Sequence, residues 1–94
     1  MGQFTVDPAE RDEFVAARAP LLEAVRKEAG CLEYTIAADP GDPGRAVLVE
    51  RWESEEALDA HAANLKNAPK PTSDVKPTSL AIFRYDVTGE KKLF

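Results

Sequence analysis

Gly30-Cys31-Leu32-Glu33-Tyr34-Thr35-Ile36-Ala37-Ala38, then Asp39-Pro40-Gly41-Asp42-Pro43-Gly44, then Arg45-Ala46-Val47-Leu48-Val49-Glu50-Arg51-Trp52 decide how this chain folds. The outer runs carry β-branched and aromatic residues, and the middle run is turn chemistry throughout. Together they predict a hairpin with strands over 31–38 and 45–52. Period-two alternation puts Leu32, Tyr34 and Ile36 on one face of the first strand, and Cys31, Glu33 and Thr35 on the other. On the second strand Leu48, Glu50 and Trp52 point one way; Val47, Val49 and Arg51 point the other.

Upstream, Gln3-Phe4-Thr5-Val6 predicts a short strand. Asp7 reads as an N-cap, with Pro8 at the first helical position and Glu10 three residues after the cap. A first helix is expected to run to about Ala29, with Gly30 as its stop. Phe14, Ala17, Leu21, Val25 and Glu28 fall at helical spacing, and Pro20 inside that pattern predicts a kink. Downstream, Ser54 caps a second helix with Glu55 and Glu56 in its first turn. Its apolar stripe is Ala57, Leu58, His61, Ala62 and Leu65. Residues 66–79 hold Pro69, Pro71 and Pro77 and predict a polar loop. Leu80 to Val87 predicts the last strand, and 88–94 a tail, either frayed or packed on a partner chain.

The order β-α-β-β-α-β specifies an α+β, ferredoxin-like sandwich: a four-stranded antiparallel sheet with both helices on one face. Ninety-four residues, 1–94, are expected to form one domain with a modest core. The bare sheet face then calls for cover, most simply the sheet of a second subunit in a symmetric homodimer.

A net charge of −5 and a pI of about 4.8 argue against nucleic acid as a partner. Lys66, Lys70 and Lys76 share their loop with Asp74 and read as a solvated surface. One cysteine rules out an internal disulfide and a zinc-ligand cluster, and fits a reducing cytoplasm. No apolar run approaches the ~20 residues of a membrane span, and the first residues lack the pattern of a signal peptide.

Few side chains are suited to chemistry. His61 is the only histidine and lies on the inward stripe of the second helix, where it serves as a base or proton shuttle, or packs against a hydrogen-bonding partner. Trp52 and Tyr34 lie on the helix-covered face, either as walls of a slot for a flat apolar ligand or as core filling. Glu50 sits mid-strand between Leu48 and Trp52. A carboxylate there is costly unless paired; it is a base, or the ionic partner of Arg84. Cys31 reads as a packing residue. No glycine-rich phosphate loop and no metal cage are present, leaving haem ligation by His61 as a possibility in principle.

Phe4-Thr5-Val6-Asp7-Pro8 with Phe14, the Ala19-Pro20-Leu21-Leu22-Glu23-Ala24 run ending in Gly30-Cys31-Leu32-Glu33-Tyr34, and Leu48-Val49-Glu50-Arg51-Trp52-Glu53-Ser54 with Ala57, Leu58 and His61 resemble the antibiotic biosynthesis monooxygenase domain. The resemblance covers about residues 3–65 and the last strand. It implies a dimeric α/β barrel, two ferredoxin-like subunits joined through their sheets. It implies a cofactor-independent monooxygenase that oxidises a phenol or quinol-type aromatic with O2, needing no metal. In that reading His61 and Glu50 are catalytic, and Trp52, Tyr34, Leu58 and Leu48 bind substrate. A small-molecule-binding or structural dimer without chemistry, and a non-oxidative polyketide isomerase or cyclase with His61 as base, remain alternatives. Two features depart from the family pattern: the 67–79 stretch replaces a second His-Phe element, and the first strand is short. The haem-degrading branch uses an Asn, a Trp and a His at positions held here by Gly2, His61 and about Pro71; all three groups are lost, so that branch is discounted.

Overall fold

The computed structural model describes residues 1–94. Its strands are β1 (Gly2–Thr5), β2 (Cys31–Ala38), β3 (Arg45–Trp52) and β4 (Ser79–Ile82). Its helices are α1 (Arg11–Ala16), α2 (Ala19–Val25) and α3 (Glu55–Asn64), with a 3-10 turn at Leu65–Asn67. The sheet order is β2-β3-β1-β4 and every pairing is antiparallel. This is the ferredoxin-like α+β topology expected of the β-α-β-β-α-β order. No helix is long and apolar enough to cross a membrane.

The hairpin forms with the expected strand limits. Its turn is tied by aspartates: Asp39 accepts from the Gly41 N–H at 2.8 Å, and Asp42 accepts from the Gly44 N–H at 3.0 Å. Arg11 at the start of α1 clamps the same turn, donating to the carbonyls of Asp39 and Asp42 at 2.8 and 2.7 Å.

One register detail changes the expected faces. Tyr34 pairs with Glu50 and Glu33 with Arg51, but Cys31 pairs with Trp52, so Leu32 is an extra residue. Such a bulge reverses the alternation on its far side. Cys31, expected on the outer face, packs against the core, while Leu32, expected on the inner face, is 55% exposed.

The first helix also differs. Asp7 accepts from the Ala9 N–H at 2.9 Å, and residues 8–10 form a turn, so regular helix begins only at Arg11. Pro20 does more than kink the element. It cannot donate to the Ala16 carbonyl, and the chain breaks into α1 and α2, with the proline in the tolerated first turn of α2. Phe14 and Val25, one from each piece, still reach the same core. That core is Phe4, Val6, Phe14, Val25, Tyr34, Ile36, Ala46 and Leu48.

β4 is shorter than its sequence pattern. Its ladder with β1 ends where Phe83 and Met1 exchange bonds at 2.8 and 2.9 Å. Beyond that rung no β1 residue stands opposite, and Arg84 onward leaves the sheet. The 66–79 loop is irregular after its opening turn but pinned: Thr72 N–H donates to Ala17 and Thr78 N–H to Thr5, at 3.2 and 2.7 Å.

Candidate active site

Three elements converge at the Trp52 end of the sheet. Gly30 makes the approach possible. Its φ is +82°, and a Cβ there would lie 2.5 Å from the Ala57 Cβ of α3. Its carbonyl accepts from the Glu53 N–H at 2.8 Å, fixing the turn out of β3. Ser54 then caps α3, its hydroxyl accepting from the Ala57 N–H at 3.1 Å. One turn further on, α3 delivers His61 onto the sheet.

His61 is 4% exposed. Its ring stacks on Trp52 at 4.6 Å between centroids and meets Tyr34 edge-on at 5.4 Å. Its Nδ1 lies 3.0 Å from Glu28 Oε2. Facing a carboxylate, Nδ1 is the protonated nitrogen. Glu28 is held in turn by Asn64 Nδ2, donating to Oε1 at 3.0 Å. On the other side of the indole, Trp52 Nε1 donates to Glu50 Oε1 at 2.7 Å. The order through the site is therefore Glu28, His61, Trp52, Glu50. The indole and imidazole touch directly, with no open gap between them.

A cavity borders Trp52 and Glu50 but not His61 or Glu28. A cleft of about 630 Å³ is bounded by Glu50, Trp52 and Leu58 and by the chain after β4, chiefly Phe83, Tyr85 and Val87. Of the six side chains expected at the site, Glu50, Trp52 and Leu58 line this cleft. His61, Tyr34 and Leu48 do not; Tyr34 and Leu48, 5% and 2% exposed, belong to the core. The expected pairing of Glu50 with Arg84 is absent: Arg84 bonds Glu55 and Asp86, at 3.1 and 3.2 Å.

The local field is negative. Burial, then Glu50 and Glu28, push the Tyr34 phenol up to about 12. Burial and then Glu28 raise the Cys31 thiol, which keeps it protonated and a poor nucleophile. No group of three or more His, Cys, Asp or Glu side chains is gathered to hold a metal ion.

Sequence reasoning passed over Glu28 and the 83–90 segment. Glu28 had a signal: it continues an apolar stripe at helical spacing, where a carboxylate needs a partner. The segment's alternation, Phe83, Tyr85, Val87, reads as more strand rather than as a cleft wall.

The chain matches the family model described as antibiotic biosynthesis monooxygenase over residues 1–66. It is 32% identical over 60 residues to the uncharacterized protein sll1783 of Synechocystis, covering 64% of this chain and 41% of that protein. It is 30% identical over 56 residues to the candidate monooxygenase YcnE of Bacillus subtilis, covering 60% of this chain and 59% of that one. The match thus spans about half the length of these relatives. Among solved structures, a candidate antibiotic biosynthesis monooxygenase from Deinococcus radiodurans superposes with a TM-score of 0.76 at 20% identity, covering 99% of this chain and 94% of that one. PA3566 from Pseudomonas aeruginosa gives a TM-score of 0.64 at 19% identity, over 90% of each chain. At these identities the two structures speak to the fold.

Proposed function

The chain belongs to the antibiotic biosynthesis monooxygenase family, and from that premise we propose that it oxidises a small phenol or quinol-type aromatic with O2 in the cleft beside Trp52, without a cofactor. The observation that carries this reading is the Trp52–Glu50 pair: an indole forming an apolar wall and a carboxylate fixed to its N–H at 2.7 Å, both on the cleft surface. The substrate ring stacks on the indole face turned away from His61. Glu50 takes the phenolic proton. The resulting phenolate passes an electron to O2, the two radicals join at a ring carbon, and loss of water leaves a quinone. One oxygen atom enters the ring and the other departs as water, so phenol and O2 balance against quinone and water with no outside reductant.

His61 acts in this scheme by position. Stacked on the indole and bonded to Glu28, it holds the Trp52 ring at the cleft wall. An isomerase or cyclase with His61 as base loses support, because the imidazole is buried and does not line the cleft. The same burial favours a second reading, a binding protein for small aromatics that carries out no chemistry.

We place a second copy of the chain over the bare sheet face. Ala37, Val47 and Ala81 are half-buried on that face. Light scattering at micromolar concentration tests it, and a monomer would reject it.

Oxygen consumption with a panel of hydroquinones and naphthols, without added flavin or metal, tests the enzymatic reading. Turnover is expected, falling more than ~10-fold in Glu50→Gln and persisting in His61→Phe. Uptake no faster than the uncatalysed reaction across the panel would reject it. A ligand that stabilises the fold without turnover, by about 2.7 kcal/mol at 100 Kd, would support the binding reading instead.

A further inference from the structure

We infer that the cleft selects its aromatic ligand by charge, accepting neutral or cationic rings and turning away aromatic carboxylates and pre-formed phenolates. This deepens the proposal above and rests on the cleft being its substrate site. Five carboxylates border the cleft: Glu50, Glu53, Glu55, Asp86 and Glu90. Three cations face them, and the two arginines are already paired with carboxylates. Arg84 bonds Glu55 and Asp86. Arg51 bonds Glu90 at 3.3 Å. The Met1 ammonium donates to the Phe83 carbonyl at 2.9 Å. Five negative charges against three positive ones leave an excess of two, centred on Glu50 and Glu53, which have no cationic partner. The indole N–H is also spent, on Glu50. An anionic ligand would therefore bring its charge to a wall with an excess of carboxylates, where both arginines are already paired with acidic side chains.

A substrate phenol bordered by these carboxylates enters neutral. Handing its proton to Glu50 then moves a negative charge within the site without adding one. The cleft walls, Trp52, Phe83 and Tyr85, supply the aromatic contact that a neutral ring needs and that a cation also gains from.

Three matched probes test the inference: 2-naphthylmethanol, 2-naphthylmethylammonium and 2-naphthoate. Each is titrated into the full chain while the Trp52 indole N–H resonance is followed by NMR. Trp52 is the only tryptophan, so the signal needs no assignment. The alcohol and the ammonium are expected to bind at least about 10-fold tighter than the naphthoate at low salt, with the gap narrowing at 0.5–1 M NaCl. Glu53→Gln should narrow it as well. Glu90→Gln, which frees Arg51, should strengthen naphthoate selectively, by about 3-fold or more. Naphthoate binding as tightly as the alcohol overturns the inference, and so does the absence of any shift with all three probes. Its fate is separable from that of the oxygenase reading. Charge-ordered binding without oxygen uptake sinks only the enzyme, whereas equal turnover of carboxylated and neutral quinols sinks only the charge filter.

Discussion

Replacing His61 separates a brace from a catalyst. The ring is 4% exposed, stacked on Trp52, edge-on to Tyr34 and bonded to Glu28. Truncation in His61→Ala removes a buried ring, for which large-to-small changes cost about 3–5 kcal/mol. The aromatic contacts account for about 0.5–1.5 kcal/mol of that, and the bond to a charged group for about 1.5–3. The last contribution is reduced here, because Glu28 keeps its bond from Asn64 and its side chain is 19% exposed, so water can replace the imidazole. We therefore expect about 3 kcal/mol for His61→Ala and about 1 kcal/mol for His61→Phe, which keeps the ring and loses only the bond. Urea unfolding gives both values, and the loss in His61→Ala corresponds to a drop in Tm on the order of 15 °C for a domain of this size. A double-mutant cycle adds a check: Glu28→Ala and His61→Phe remove the same bond, so the double variant should cost less than the sum of the two. A cost below about 1 kcal/mol for His61→Ala would mean that the ring is not wedged between sheet and helix, and the placement of Trp52 argued above would fail with it.

Two further outcomes follow from the same neighbourhood. In a Tyr85→Phe background the tyrosinate absorbance reports Tyr34 alone, and it should rise near 12 or together with unfolding. Because the folded-state value lies above the ordinary 10, the stabilisation is intact below pH 10 and lost between 10 and 12, with an upper bound of about 2.7 kcal/mol; ionisation near 10 with the fold intact would contradict the burial. Gly30→Ala combines a left-handed backbone with a Cβ 2.5 Å from the Ala57 Cβ, and should cost about 2–4 kcal/mol by thermal or urea melting. Measured against Ala57→Gly alone, which carries about 1 kcal/mol of its own for a glycine inside α3, Gly30→Ala should lose the steric part and keep about 1 kcal/mol of backbone strain, whereas a Gly30→Ala variant as stable as the parent would show that neither constraint operates.

Much of the architecture could be read from local chemistry because local chemistry sets it. Gly30, the Asp-Pro-Gly turn at 39–44 and the Ser54 cap act within a few residues of themselves, and they mark where β2, β3 and α3 begin or end. What escaped depends on a second segment. The bulge at Leu32 appears only when β2 is laid against β3. The end of β4 depends on where β1 stops offering partners. Pro20 was visible, but whether a proline bends a helix or divides it depends on how both halves find the core, here through Phe14 and Val25.

The candidate site divides along the same line. Alternation correctly placed Leu48, Glu50 and Trp52 on one strand face, and helical spacing correctly placed His61 on the side of α3 turned toward them. Neither pattern contains depth. Along β3, Leu48 sits over the middle of the core and Trp52 at its rim, so side chains that are equivalent by pattern range from closed off to bordering a cleft. His61 falls on the closed side: it is buried against the indole and does not line the cavity. Glu50 falls on the open side because its bond to the Trp52 N–H holds it at the rim. A histidine draws attention in a sequence by its side chain's chemistry. Here its surroundings favour the carboxylate two residues before the tryptophan as the group that meets a ligand, with the imidazole as the support behind the ring.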